Sequence, residues 1–369
     1  MKKLISDITD LHKNRFELLK ASSSPKIGWL SIYTPEEILY ATGMIPYRIT
    51  GETFPKVSKA PGYMHRNICP YVLSCLDEVL DGVHDFSDGV IIANACDARR
   101  RLFDVWRHFR NKDFVHMLDL PKCVEPATKE LFILEIHYLI ETIEKRYSIK
   151  ISEAALKEAI FLCNKTRELI QKLYEFRKNG CSSLTGAQYM NITKASMTGL
   201  KKEFNQKLSL LLEQLSKSDK IDTSKPRVMI CGSYFDHVHI VELIEKMGAV
   251  VVCEDISNGV KYFQGTVDTE KEPVKALADY YLDKATCARM IDSQKRFENI
   301  WRLIKDYNVN SVIYVSLKFC DSNLIDFHYQ KKHLIEKKIP VLFLETERFV
   351  SNMGQIQTRI QAFFESLLL

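Results

Sequence analysis

No apolar run in this sequence approaches the roughly 18 residues that a bilayer-crossing helix needs, and no run of like charge exceeds three or four residues. With a net charge of only +5, the chain gives no support for a membrane-spanning protein or a nucleic-acid partner. Low-complexity segments are missing too, as is any phosphate-binding loop of the G-x-x-x-x-G-K-S/T type. The segment GSYFDH (232–237) stands between a strand and a helix, where an anion could bind, but one glycine is not a dinucleotide fingerprint, so no NAD, FAD or bound nucleotide is expected. Nor does any cysteine spacing resemble the compact ferredoxin or zinc-ribbon patterns. The N-terminal stretch MKKLISDITDLHKNRFELL places Asp7, Asp10 and His12 where a signal peptide needs an unbroken apolar core. It reads as an amphipathic helix with Leu4, Ile8, Leu11 and Phe16 near one face, and the chain is expected to stay in the cytoplasm.

What is present is typical of a folded globular protein: 46% apolar and 27% charged residues. A chain of 369 residues is too long for one ordinary core and suggests two domains with a helical insert. The runs at 27–33, 44–49, 88–94 and 114–120 are apolar enough for strands buried on both faces, and helix-length sequence separates them. One helix is expected to open at Thr34-Pro35-Glu36-Glu37, with Thr34 as cap, Pro35 at the first position and Glu37 completing a capping box. Others are expected near 67–81 and 98–110. The stretch 127–216 carries apolar residues at helical spacing, and a polar linker (216–226) closes it. Strand-like runs restart at 227–231, 249–255, 311–317 and 339–345. The expectation is an α/β protein of two Rossmann-like parallel-sheet lobes joined by a helical segment: lobe 1–126, helices 127–222, lobe 223–369.

Ten cysteines in a cytoplasmic chain are not a disulfide framework, and most free cysteines are core residues. Two of them occupy matching places. Cys96 follows strand 88–94 in ANACD, and Cys320 follows strand 311–317 in KFCDS. Ligands of open parallel sheets bind beyond the carboxyl ends of the strands, so two facing lobes would bring both thiols to one cleft. Cys69, in NICP at a helix start, is a candidate third, because the helix dipole there favours a thiolate. Three thiolates suit an iron–sulfur cubane with one open iron; on spacing alone, three scattered cysteines are more often ordinary core residues.

Several motifs together add to that reading. YTPEEILYATGMIP (33–46), CPYVLS (69–74), ANACD (93–97), LKFCD (317–321) and the closing stretch IPVLFLETERFVSNMGQIQTRIQAFFE (339–365) resemble, in order, the signatures of the 2-hydroxyacyl-CoA dehydratase/benzoyl-CoA reductase family. The likeness spans both lobes and is weak in the helical middle. It implies a [4Fe-4S] cluster held between the lobes by Cys69, Cys96 and Cys320, with the open iron as a Lewis acid for substrate oxygen. It implies a radical removal of water from a 2-hydroxyacyl-CoA thioester, or the related reduction of an aromatic acyl-CoA. It also implies two partners, a paralogous subunit in a heterodimer and an iron–sulfur activator ATPase that delivers a low-potential electron.

Other residues weigh less. Cys75, Cys163 and Cys253 are expected in the core. Cys123 and Cys231 could reach the cleft but match no family segment, and Cys181 and Cys287 lie in polar segments without a partner in sequence. Arg99, Arg100 and Arg101 read as a solvated helix face, with CoA phosphate or activator docking as the alternative. Asp97 and Asp321 suffice as turn or cap residues. Glu37 and Glu345 match acidic family positions that capping and surface solvation explain as well. No general base is assigned. Two other functions stay open: a double-cubane reductase of small molecules, drawing further thiols from Cys75, Cys123 and Cys231, and a partner subunit that only relays electrons.

Overall fold

A computed structural model describes residues 1–178, 180, 183–217, 225–284, 287–349 and 353–367. All eight expected strands form: β1 (Lys26–Leu30), β2 (Ile45–Arg48), β3 (Gly89–Ala93), β4 (Phe114–Leu118), β5 (Arg227–Gly232), β6 (Val250–Asp255), β7 (Ser311–Leu317) and β8 (Val341–Thr346). They make two four-stranded sheets in the same order, β2–β1–β3–β4 and β6–β5–β7–β8, with every neighbouring pair parallel. Every residue of β1, β3 and β7 is buried. A central parallel strand covered on both faces has no solvent side, which is why these segments read as unbroken apolar runs. In each sheet the strand order reverses between the first and third strands, and the crevice beyond such a switch point is where ligands bind.

The middle of the chain forms helices Pro126–Tyr147, Glu153–Lys178, Gly186–Ala195 and Lys201–Leu215. The N-terminal helix Lys2–Lys13 packs on the last two of these and buries Ile5, Ile8 and Leu11. Of the expected apolar face, Leu4 is only partly covered. Phe16 belongs to a second helix, Arg15–Ala21, because the first ends at Asn14. No helix among the described residues is long and apolar enough to cross a membrane.

The expected capping box is absent. The helix starts at Glu36 with Pro35 as its cap residue, the Thr34 hydroxyl has no partner among the described residues, and Glu37 is fully buried. Its carboxylate instead accepts from Arg167 at 2.5 Å and from the Tyr281 hydroxyl at 2.8 Å. Burial alone would raise the Glu37 pKa, yet the Arg167 charge and these hydrogen bonds together leave it below the ordinary value. Next to it, Glu36 pairs with Lys201 at 3.2 Å and accepts from Tyr262 at 2.8 Å. The first lobe is thus pinned to the helical middle and to the second lobe by buried charge. Glu37→Ala leaves the Arg167 guanidinium buried without its counter-charge. We expect a loss of about 3–5 kcal/mol, read as a lowered urea midpoint; a change under about 0.5 kcal/mol would mean that water replaces the pair.

Candidate functional site

A cavity of about 620 Å³ lies where the carboxyl ends of the two sheets meet. Ser31 follows β1, Cys96 follows β3, Gly232 and Ser233 end and follow β5, and Cys320 follows β7; all line it. Both switch points therefore open onto one space. Two backbone features shape it. Gly232 has φ 129°, and a Cβ there would sit 1.9 Å from the Val315 carbonyl oxygen, so only glycine allows β5 and β7 to approach this closely at the rim. Phe319 takes a left-handed φ of 58°, costing roughly 1–2 kcal/mol for a non-glycine residue, and this turn delivers Cys320 to the cavity.

The three thiols share a local design. Cys69, Cys96 and Cys320 are each the residue before a helix: Pro70–Leu80, Asp97–Phe109 and Asp321–Glu336. All three line the cavity. The dipole at each helix start favours a thiolate, but burial works against it. Burial first, then the charges of Cys320 and Cys96, push the Cys69 thiol far up. Burial raises Cys320 to about 11, with Cys287 and Cys96 adding to it, against hydrogen bonds from Asn323, whose amide lies 3.2 Å from the sulfur. Without a metal both groups are neutral thiols at pH 7, and binding a metal must expel their protons. Iodoacetamide labelling of Cys320 in metal-free protein should be slow at pH 7, when about one thiol in ten thousand is ionised. It should rise with pH towards about 11. Mass spectrometry of the labelled peptide reads this, and rapid labelling at pH 7 would refute the buried-thiol picture.

A fourth cysteine faces the same space. Cys287, which no sequence motif marks, lines the cavity with the other three. Arg99 also departs from expectation: Arg100 and Arg101 are exposed, but Arg99 is half-buried and turns into the cavity. Burial opposes its charge, but Cys96, Tyr71, Cys287 and Cys69 stand close enough that their ionised forms raise its pKa above the ordinary arginine value. Arg289 lines the cavity too, and its Nε finds no partner among the described residues. Tyr71 stacks on Tyr234 with ring centroids 4.2 Å apart, closing the floor.

The remaining candidates separate cleanly. Cys75, Cys163, Cys231 and Cys253 are buried in the cores, and Cys123, half-buried, does not line the cavity. The extra thiols that a double cubane would draw from Cys75, Cys123 and Cys231 are therefore not gathered here. Cys181 lies outside the described residues. Asp97 and Asp321 are exposed first-turn residues of their helices, consistent with a favourable dipole contact. Glu345 is exposed. In GSYFDH, Asp236 already pairs with Arg348 at 2.5 Å, so a carboxylate stands where an anion was conceivable. Among the described residues no three His, Cys, Asp or Glu side chains converge on a point that could hold one metal ion. A cubane makes no such demand, because each thiolate binds a different iron.

The fold and site define a class: two-lobed parallel α/β proteins with a cysteine-lined cavity between the lobes. The chain belongs to the family described as 2-hydroxyglutaryl-CoA dehydratase, D-component, whose sequence profile matches residues 31–367. It is similar to the (R)-phenyllactyl-CoA dehydratase beta subunit of Clostridium sporogenes, 25% identical over 99% of both chains. It also resembles a subunit of the benzoyl-CoA reductase of Thauera aromatica, 24% identical over 90% of this chain and 87% of that one. The beta subunit of (R)-2-hydroxyglutaryl-CoA dehydratase from Acidaminococcus fermentans is 23% identical over 94% of both.

Proposed function

We propose that this chain is an iron–sulfur subunit of a 2-hydroxyacyl-CoA dehydratase, or of the related aromatic acyl-CoA reductase, working in the cytoplasm. The observation that carries the reading is the convergence of Cys69, Cys96 and Cys320, each at a helix start, on one cavity at both switch points. The donor chemistry fits: thiolates are the usual ligands of iron–sulfur clusters. Cys69, Cys96 and Cys320 would hold a [4Fe-4S] group, which supplies one-electron transfer when bound. The chain's own residues do the rest. Ile32, Ile68, Val72 and Leu317 keep the cavity apolar, and Arg99 places positive charge beside the thiols, offsetting the negative charge of bound thiolates. Arg289, with an unused donor, and exposed Arg101 on the rim suit the phosphates or carboxylate of an acyl-CoA.

The relatives are named as subunits of larger enzymes, and a paralogous partner in a heterodimer is part of the reading, as is an activator ATPase. Iron and sulfide counting on anaerobically purified protein tests it. About four irons per chain are expected; about eight would indicate a double cubane, and none would remove the cluster.

A further inference from the structure

The cavity holds one more thiol than the three that the sequence motifs supply. Cys287 lies between helices Pro273–Asp283 and Ser293–Asp306, and its backbone is fixed from both lobes. Its N–H donates to the Tyr33 hydroxyl of the first lobe at 2.8 Å. Its carbonyl accepts from Met290 N–H at 3.0 Å and from Arg296 at 3.3 Å. Arg296 is itself clamped by Asp326, at 2.7 Å and 3.1 Å. Cys163 and Cys253 are fully buried in the core, whereas Cys287, like Cys69, Cys96 and Cys320, is half-buried, packing one side against a core and lining the cavity. Two cations stand close to it: Arg99, and Lys261, which lines the cavity and pairs with Asp255 at 3.1 Å. Arg99 thus brings positive charge to Cys287 as well as to the motif thiols, while the charge of Lys261 is already met by Asp255.

We propose that Cys287 is the fourth protein ligand of the cluster held by Cys69, Cys96 and Cys320, so that every iron in this chain is bound by cysteine. The proposal rests on the cluster reading above. In the binding step the Cys287 thiol gives its proton to solvent and its sulfur takes the place of water or hydroxide on iron; no electron moves. A site closed in this way has no iron free for a substrate oxygen, which assigns this subunit to passing electrons and leaves substrate ligation to its partner.

The test uses the full chain, purified anaerobically, with Cys287→Ala and Cys320→Ser beside it. Each is treated with ferricyanide and then followed by EPR and iron counting. An iron without a protein ligand is the one released on oxidation, leaving a three-iron cluster with its own EPR signal. The wild type is expected to keep about four irons and remain silent. Cys287→Ala is expected to give the three-iron signal, and added cyanide should alter the EPR spectrum of its reduced cluster but not that of the wild type. A wild type that itself yields the three-iron signal, or that responds to cyanide as Cys287→Ala does, overturns the proposal without any variant. If Cys320→Ser loses the cluster and Cys287→Ala matches the wild type, the fourth ligand is wrong and the cluster stands. If the wild type binds no iron, the underlying reading fails first.

Discussion

Replacing Cys69, Cys96 or Cys320 singly by serine should abolish the brown absorbance at about 400 nm and most of the bound iron. Each thiol stands at its own helix start and reaches the cavity from a different element, so each loss removes a separate anchor. Cys320 is the most telling of the three. It is the motif cysteine contributed by the second lobe, placed by the Phe319 turn and held by the Asn323 amide. Full iron content in Cys320→Ser would remove the cluster from between the lobes. Cys163→Ala and Cys253→Ala serve as controls: both residues are buried away from the cavity, and both variants should keep their iron and lose on the order of 1 kcal/mol of stability.

The isolated chain, even with its cluster, should show no turnover of any 2-hydroxyacyl-CoA with ordinary reductants. Adding one electron to a thioester requires a potential far below that of common cytoplasmic carriers, and the sequence contains no phosphate-binding loop of the G-x-x-x-x-G-K-S/T type. On the proposed function the energy comes from another protein. Adding the paralogous subunit, the activator ATPase, ATP, magnesium and a strong reductant should raise the rate from background to steady turnover, and oxygen should destroy it. Steady turnover by the chain alone, in air and without ATP, would sink both the radical chemistry and the proposed function.

The strands were legible because parallel strands covered on both faces leave a continuous apolar imprint, and β3 and β7 each end just before a cysteine. The order of strands within each sheet left no such imprint, since it depends on which helix crosses which face. Glu37 misled for a related reason. Next to Thr34 and Pro35 it mimics a local cap, while its true partners, Arg167 and Tyr281, are 130 and 244 residues away. Arg99 was hidden among three consecutive arginines; helical geometry leaves Arg100 and Arg101 exposed and half-buries only Arg99. Cys287 sits in an irregular segment with neither periodicity nor motif, and only the fold brings it to the other thiols.

Arg348 carries a consequence for how the cavity is entered. Its guanidinium bonds Asp236 at 2.5 Å in the second lobe, and the Thr50 carbonyl at 3.0 Å and Ser74 hydroxyl at 3.3 Å in the first, beside the Tyr71–Tyr234 stack. A second arginine, Arg48, reaches across to the Ser257 carbonyl at 2.9 Å. The halves are therefore tied to each other by hydrogen bonds from both arginines, a clasp that a jaw-like opening would have to undo at several points at once. Passage through the mouth breaks none of these bonds, so whatever enters the cavity is expected to arrive by that route rather than by a parting of the lobes.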